Sequence, residues 1–315
     1  MCHKYGVTIG GATTNGQYIE EGNRQIPYML TLHGDLVVDT FFAVGAFLLV
    51  YSTLKEWDSG KGAGLGAMFF LRYIRLTPAY ALVIFFYSTL LNKVASGPLW
   101  NSTVAHEATF CARHWWTNLL YVSNYVNTQQ MCMVQSWYLP CDMHYFVLSL
   151  PLLVLLHRRP RAGQLALALF ALASLVVPFA ITLAGRHDAT ILFYNEFLSN
   201  PRASRYFHAM YTKSHTRAGP YVAGFIAGYV FHKRKLYETK ITRATARTIF
   251  AFSVLVFGAV LFPAVVFYTP EREYDVGEAA IYAALQRFAW GAAVALLILS
   301  LASGKIREYI IHVVR

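Results

Sequence analysis

The sequence predicts an all-α, polytopic integral membrane helical bundle, and three observations carry this prediction. Hydrophobic residues make up 56% of the 315 residues and charged residues only 14%, whereas soluble domains are about one quarter charged. The apolar residues form runs long enough to cross a bilayer. Basic residues cluster beside those runs, as the positive-inside rule describes. The formal charge of +11 therefore indicates membrane orientation, and we expect no nucleic-acid partner.

About seven apolar runs are candidate transmembrane helices. They cover residues 36–54, 76–91, 137–156, 165–184, 221–232, 249–268 and 279–303. The second and fifth runs are short for a crossing of roughly 20 residues, so flanking residues must extend them. The fifth run contains Gly224 and Gly228, a GxxxG spacing that lets two helices approach closely.

The basic connections after the first, third and fifth runs predict an orientation. Since such connections face the cytosol, segment 1–34 and the polar loop 93–136 are assigned outside, and the tail 305–315 inside. That loop contains two of the four cysteines, Cys111 and Cys132. A disulfide between them is one of the pairings open to four cysteines. The same loop contains the sequon at Asn101, a candidate for glycosylation.

Several ionisable residues fall within or beside the apolar runs, where they are costly and often functional. Asp142 stands near the start of the third run, either in a site or at the membrane interface. Asp39 is either a carboxylate at a helix start or a site residue. Arg287 in the last run should pair with a carboxylate or face an interior cavity, and as its carboxylate partner the sequence leaves Asp142 and Asp39 both open.

Arg72 and Arg75 are three residues apart, so we expect them on one helix face. Paired guanidiniums suit phosphate or carboxylate groups. Basic residues at the cytosolic end of a transmembrane helix, however, also hold that helix in place against lipid headgroups. Both interpretations stay open. A second basic cluster, at the outer end of the fifth run, contains Lys213, His215 and Arg217.

Three histidines, His33, His144 and His215, are placed to act as acids or bases. Asp142 and His144 are two residues apart, which separates them by about 200° on a helix, so we do not expect them to form a dyad. The sequence contains none of the usual motifs for a metal site, a nucleotide or a serine hydrolase.

Five stretches together resemble one family, in the family's order. They are Asp39-Thr-Phe-Phe, Arg72-Tyr-Ile-Arg75-Leu-Thr-Pro78, Trp115-Trp-Thr-Asn-Leu-Leu-Tyr121, Ser136-Trp-Tyr-Leu with Asp142-Met143, and Arg217-Ala-Gly-Pro-Tyr221. The chain is similar to the acyltransferase 3 family, in its animal branch of nose resistant to fluoxetine-like proteins. The resemblance implies an acyltransferase 3-like membrane domain over residues 35–304.

The resemblance implies a membrane enzyme that moves an acyl group to a hydroxyl of a lipid or another acceptor. The donor would be a cytosolic co-substrate such as acyl-CoA, with no bound cofactor, and the other partners would be membrane lipids. Arg72 and Arg75 match the family's RxxR and would meet the donor's phosphates. Asp142 would partner an arginine or the acceptor hydroxyl, while Asp39, Arg217 and Arg287 would support the site. Because the orientation sets Asp142 toward the outer half and Arg72 at the inner edge, we expect them to lie far apart.

The chain also departs from the family's pattern. The family carries an earlier helix with an arginine and a histidine, the presumed catalytic base, so we expect a partial domain whose base is unknown. His33 lies on the wrong side of that helix to replace it, and His144 stands where the family usually has Gln or an apolar residue. A transporter or uptake facilitator for lipids or small hydrophobes and a non-catalytic scaffold stay open, in either the plasma membrane or an endomembrane.

Overall fold

The computed structural model describes residues 20–236, 242–269 and 272–302, without the side chains of residues 98, 99, 101–103 and 199. All regular secondary structure in these residues is helical, which confirms the all-α prediction. The eight described helices of 19 residues or more are α1 Gly34–Asp58, α2 Leu65–Phe85, α3 Pro98–Leu119, α4 Tyr138–Arg158, α5 Pro160–Gly185, α6 Ala218–Leu236, α7 Arg243–Leu261 and α8 Val276–Ala302.

Shorter helical segments occupy several of the connections. They are Ile26–Tyr28, Met29–Leu32, Phe86–Leu90, Leu91–Val94, Thr128–Gln130, Val134–Trp137, Asn195–Ser199, Pro201–Ala203, Phe207–Tyr211, Ser214–Thr216 and Phe262–Tyr268. The predicted N-terminal segment 1–34 is described only from residue 20, and the predicted tail 305–315 lies outside the described residues. These two domain boundaries stay predictions.

Six helical segments in the described part of the chain are long and apolar enough to cross a membrane. They are Gly34–Asp58, Leu65–Val94, Val134–Arg158, Pro160–Gly185, Arg243–Tyr268 and Val276–Ala302. They correspond to six of the seven predicted runs and support a multi-pass membrane protein. The fifth run lies in α6, which is less apolar because its last turn holds Lys233, Arg234 and Lys235.

The short second run is extended on both sides, as its length required. The helical segment Leu65–Val94 has 30 residues, and it continues from α2 through a π-helical stretch at Phe86–Leu90. Only 11% of its most apolar window is buried. Large apolar side chains such as Phe70 and Leu82 are exposed along it, as on a helix that faces lipid.

The chain forms two compact units, and α4 contributes its first part to one and its last part to the other. Unit 1 comprises Ala63–Leu150 and Phe193–Ser214 with Glu20, the described residue of its first segment. Unit 2 comprises Glu21–Gly62, Pro151–Leu192 and the chain from His215.

Small residues bring the central helices of unit 2 together. A Cβ added to Gly224 of α6 would lie 2.0 Å from the Ala43 carbonyl oxygen of α1, and one on Gly228 would lie 2.7 Å from the Phe47 carbonyl oxygen. The two glycines therefore follow two successive turns of α1, with the helices parallel. This contact gives the predicted GxxxG spacing its partner. The helix α8 also packs against α6.

The stretch 93–136 of unit 1 was predicted as one polar loop, and this prediction is wrong. Its first half contains α3, a helix of 22 residues, and after residue 119 the stretch contains only short helical segments. The composition of α3 is too polar to register as an apolar run, because it includes His106, Glu107 and Arg113. Three residues with positive φ, Tyr121, Asn127 and Met133, mark the turns that follow.

The predicted disulfide between Cys111 and Cys132 is confirmed, with the two residues 21 positions apart. We expect the double variant Cys111→Ser/Cys132→Ser to lose about 3 kcal/mol of unfolding free energy, because the bridge restricts a loop of this length in the unfolded chain. Chemical unfolding of the purified chain in detergent, with and without a reductant, measures this loss.

Reductant should bring the wild-type chain to the midpoint of the double variant and leave that variant unchanged. Cys141→Ser serves as the control, because the Cys141 thiol is buried and donates to the Thr212 carbonyl oxygen at 3.4 Å, a role that a hydroxyl can keep. A wild-type midpoint that does not respond to reductant would contradict the prediction.

Candidate functional site

A buried group of charged side chains lies in unit 2 around Asp39. Its Oδ1 accepts hydrogen bonds from Arg217 Nε at 3.1 Å and Nη2 at 2.8 Å, and its Oδ2 accepts one from Arg287 Nη1 at 2.6 Å. The side chains of Asp39 and Arg217 have no exposed surface, and that of Arg287 is 6% exposed. Both oxygens of the carboxylate are thus occupied by guanidinium groups.

Asp35 and His33 extend this buried network. Arg287 Nη2 donates to Asp35 Oδ2 at 3.0 Å, and Arg217 Nη2 donates to the Asp35 carbonyl oxygen at 3.1 Å. His33 Nδ1 lies 3.6 Å from Asp35 Oδ1, and the histidine is 2% exposed. Two carboxylates therefore balance two guanidiniums, which is the arrangement that buried charges require.

Local geometry explains how the chain assembles the network. Asp35 and Asp39 are four residues apart on α1, so they lie on the same face one turn from each other. Arg217 directly precedes α6, and Arg287 lies in the middle of α8. Next to them, Trp290 Nε1 donates to Thr40 Oγ1 at 3.0 Å. The close packing of α1, α6 and α8 is thus what brings the arginines to the carboxylates.

The structure brings three of the predicted supporting residues together and decides between the open alternatives. Arg287 pairs with Asp39, not with Asp142, and Asp39 is a member of the network instead of a simple helix-start carboxylate. Asp35 was missed from the sequence. Its spacing of four residues before Asp39 was the signal that could have found it.

A second charged pair lies in unit 1, where Arg72 Nη2 donates to Asp142 Oδ2 at 2.5 Å. The two side chains are 19% and 14% exposed. The guanidinium also stacks over the Phe146 ring, with its carbon 4.4 Å from the ring centroid. Arg72 Nε is buried and has no hydrogen-bond partner in the described part of the chain, so one donor of this guanidinium is unused.

The prediction that Arg72 and Asp142 lie far apart is wrong. Because α2 begins at Leu65, Arg72 lies about two turns inside the helix and not at its end. Farther along α2, Tyr80 donates to Ser136 Oγ at 2.9 Å. Residues 136–142 therefore run antiparallel to α2. The antiparallel pairing brings the two charges together, and clusters of basic residues do not reveal such a pairing.

The remaining predicted residues lie as follows. Arg75, one turn after Arg72, is exposed, and so is His215. The side chain of Asn101 lies outside the described part, so glycosylation stays a prediction. Among residues 20–236, 242–269 and 272–302, no group of three or more His, Cys, Asp or Glu is arranged to hold a metal ion.

His144 pairs with Ser214, whereas Asp142 pairs with Arg72, so the two form no dyad among the described residues, as their spacing predicted. His144 Nδ1 lies 2.7 Å from Ser214 Oγ, and the ring makes a further hydrogen bond with the backbone of Tyr121. The Tyr121 hydroxyl lies 3.1 Å from Thr77 Oγ1, and burial raises the pKa of Tyr121 above its usual value. Sequence reasoning did not find Ser214, because a lone serine carries no motif.

A family model described as "Acyltransferase domain", that of acyltransferase 3, matches residues 9–313. The chain belongs to the acyltransferase 3 family. This membership supports a membrane acyltransferase-type function, and it confirms the resemblance that was inferred from Asp39-Thr-Phe-Phe and the four other stretches.

Two curated relatives from Caenorhabditis elegans match this family member. Nose resistant to fluoxetine protein 6 is 28% identical over 232 residues, which are 69% of this chain and 28% of that protein. Regulator of hypoxia-inducible factor 1 is 25% identical over 240 residues, which are 72% of this chain and 45% of that protein. The chain thus spans less than half the length of either relative. No solved structure matches the chain.

Proposed function

We propose that this family member transfers an acyl group from a cytosolic acyl-CoA-type thioester to a hydroxyl of a lipid or another membrane acceptor. The acceptor oxygen attacks the thioester carbonyl, the carbon–sulfur bond breaks, and the products are an ester and a thiol. The reaction needs a base that takes the hydroxyl proton and an anchor that holds the anionic donor.

The unused donor of Arg72 is the observation that carries this proposal. A buried polar atom without a partner requires an explanation, and an anionic oxygen of a ligand would satisfy Nε. Asp142 and the Phe146 ring hold the guanidinium in place, so the arginine is oriented before a donor arrives. Arg75 adds an exposed cation one turn along the same helix. Together they suit the phosphates of acyl-CoA.

The buried network of unit 2 has a supporting role in this proposal. Its four charges are paired with each other, and Asp39 has no free oxygen. We therefore assign Asp39, Arg217 and Arg287 to holding α1, α6 and α8 in register rather than to contact with the substrate.

We expect Arg72→Ala to raise the KM for acyl-CoA by about 10- to 100-fold, because a charge-assisted hydrogen bond contributes roughly 1.5–3 kcal/mol. Arg75→Ala should raise it less, since Arg75 is exposed and no carboxylate in the described part of the chain orients it as Asp142 orients Arg72. Initial rates of the purified chain in detergent, measured over a range of acyl-CoA concentrations, provide the test. Arg161→Ala is the matched control, since Arg161 is an exposed arginine near the start of α5.

Asp142→Asn separates donor binding from the ion pair, because it removes the carboxylate charge and keeps Arg72. We expect Asp142→Asn to retain much more donor affinity than Arg72→Ala. Unchanged turnover and KM in both arginine variants would overturn the donor site. Transport of a small hydrophobe by a chain that shows no acyl transfer would instead support a transporter.

A further inference from the structure

The hydroxyl of Ser214 lies at the centre of a hydrogen-bond cluster in unit 1. His144 Nδ1 is 2.7 Å from Ser214 Oγ, Asn124 Nδ2 donates to the same oxygen at 3.2 Å, and the Tyr125 hydroxyl donates to it at 3.3 Å. Ser214 itself is 6% exposed, whereas Tyr125 is 45% exposed. The serine hydroxyl therefore lies one side chain below the surface.

These contacts determine where the serine proton points. A hydroxyl oxygen has two acceptor sites and one proton. The amide nitrogen of Asn124 can only donate, and the Tyr125 hydroxyl fills the second acceptor site. The proton of Ser214 is then left for His144 Nδ1, which accepts it when the ring is protonated at Nε2. This is the contact that activates a serine nucleophile.

The partners of Ser214 are held in place by contacts of their own. Tyr145 donates to the Ser214 carbonyl oxygen at 2.7 Å, which fixes the backbone at the serine. Lys213 Nζ donates to the Asn124 carbonyl oxygen at 2.6 Å, and burial lowers the pKa of Lys213. The hydrogen bond between the His144 ring and the Tyr121 backbone orients the imidazole. A pair held this firmly has the preorganisation that catalysis requires.

Tyr121 lies between the Ser214–His144 pair and Arg72, the arginine of the proposed donor site. Its ring lies 5.9 Å from that of Tyr73, the residue next to Arg72, and it interacts electrostatically with both Arg72 and Asp142. Its backbone adopts a left-handed conformation, with φ of 57°. Such strain at a residue other than glycine is frequent at functional sites.

We propose that Ser214 is a nucleophile that carries the acyl group as a covalent ester, with His144 as its general base. This inference rests on the proposed function for the identity of the donor. Ser214 Oγ attacks the thioester carbonyl while its proton moves to His144 Nδ1. The carbon–sulfur bond then breaks, the sulfur takes that proton and leaves as the thiol, and the acyl group stays on Ser214.

The second half of the reaction reverses the proton transfer with a different alcohol. The acceptor hydroxyl gives its proton to His144 and attacks the ester carbonyl of Ser214. The ester bond breaks, Ser214 Oγ recovers the proton, and the acylated acceptor leaves. Because Ser214 is only 6% exposed, bulk water has limited access to the ester between the two steps.

Two probes test this proposal on the purified chain in detergent. A fluorophosphonate reports the nucleophile without any thioester, since Ser214 Oγ attacks phosphorus and fluoride leaves. A radiolabelled acyl-CoA reports the acyl ester. Cleavage after Tyr211 and Tyr221 yields a peptide in which Ser214 is the single serine, so mass spectrometry assigns either adduct. We expect both adducts at Ser214 in the wild-type chain.

Variants distinguish a nucleophile from a structural serine. Ser214→Ala should lose both adducts, and His144→Gln should slow their formation by about 100-fold or more. Ser214→Cys should form a thioester that neutral hydroxylamine cleaves, which keeps the test available if the alanine variant does not fold. Ser123→Ala is the matched control, because Ser123 is a buried serine of unit 1 whose hydroxyl has no partner in the described part.

The outcomes separate this inference from the proposed function. A fluorophosphonate adduct at Ser214 without an acyl adduct would support the Ser214 nucleophile and overturn the acyl-CoA donor. Acyl transfer at the wild-type rate by folded Ser214→Ala would overturn the covalent ester and leave the proposed function standing. A folded Ser214→Cys that transfers acyl groups without forming a thioester would also overturn it.

Discussion

Replacing Asp39 with alanine is expected to lower the free energy of unfolding by about 3–5 kcal/mol. The change takes from Arg217 the oxygen that accepts two of its hydrogen bonds and from Arg287 the oxygen that accepts from its Nη1. A buried cation without a counter-charge is costly because the interior cannot replace the lost solvation. The loss is measured by thermal unfolding in detergent, in which the amount of monodisperse protein is recorded as the temperature rises.

Asp58→Ala is the control for this prediction. Asp58 ends the same helix α1, its side chain is 36% exposed, and it contacts His232 at 3.0 Å. Because Asp58 is partly exposed and its removal leaves behind a histidine, which can be neutral, and not an arginine, which cannot, we expect the Asp58 variant to unfold close to the wild-type temperature. Equal losses in the Asp39 and Asp58 variants would show that the buried network does not stabilise unit 2.

A charge-balanced double variant sharpens the same test. Asp39→Leu/Arg217→Met removes one carboxylate and one guanidinium and leaves Asp35 paired with Arg287. We expect it to be clearly more stable than Asp39→Ala, because apolar side chains of similar volume can replace a buried ion pair. If the double variant loses as much as Asp39→Leu and Arg217→Met lose together as single variants, this account is contradicted.

Gly224→Val is expected to prevent α6 from packing against α1. A Cβ at this position would meet the Ala43 carbonyl oxygen at 2.0 Å and Ala43 Cα at 2.7 Å, so the neighbour is backbone and cannot rotate away. Overpacking usually costs about 1–3 kcal/mol and sometimes more. The clash here separates α1, which carries Asp39, from α6, which Arg217 directly precedes, so we expect a loss of roughly 3 kcal/mol or more.

The matched control is Gly45→Ala, on the face of α1 opposite to Ala43. Gly45 is an exposed residue of α1, and a Cβ there would meet nothing within 4 Å. Alanine should stabilise the helix by about 0.5–1 kcal/mol, because glycine loses more backbone entropy on folding. Unfolding temperatures of the two variants, expressed side by side, give the comparison. A Gly224→Val chain as stable as the Gly45 variant would contradict the close approach of α1 and α6.

The sequence identified most elements of the fold because the information that defines them is local. Runs of apolar residues, the GxxxG spacing and the flanking basic residues are each contained in one helix length, so pattern reasoning found six membrane-length segments and α6. It failed at α3, whose polar composition resembles a loop although the residues are good enough helix formers to make 22 helical residues.

The candidate site could be predicted only as separate residues. Asp39, Asp142 and Arg287 stood out because charges in apolar runs are costly. Arg217 stood out as part of a basic cluster, and Arg72 with Arg75 as two guanidiniums on one helix face. Their pairing was not predictable from these features. The positive-inside rule assigns loops to sides of the membrane, but it does not say how far into a helix a given arginine lies.

By itself, the sequence determined that this chain is a helical, multi-pass membrane protein of the acyltransferase 3 family. It also offered Cys111 and Cys132 as a candidate disulfide pair. Only the tertiary structure decided which charges meet. Asp39 and Arg217 are 178 residues apart and Asp39 and Arg287 are 248 apart, while Arg72 reaches Asp142 across 70 residues and His144 reaches Ser214 across 70. Contacts over such separations depend on how helices pack against each other, and no local pattern in the chain encodes that packing.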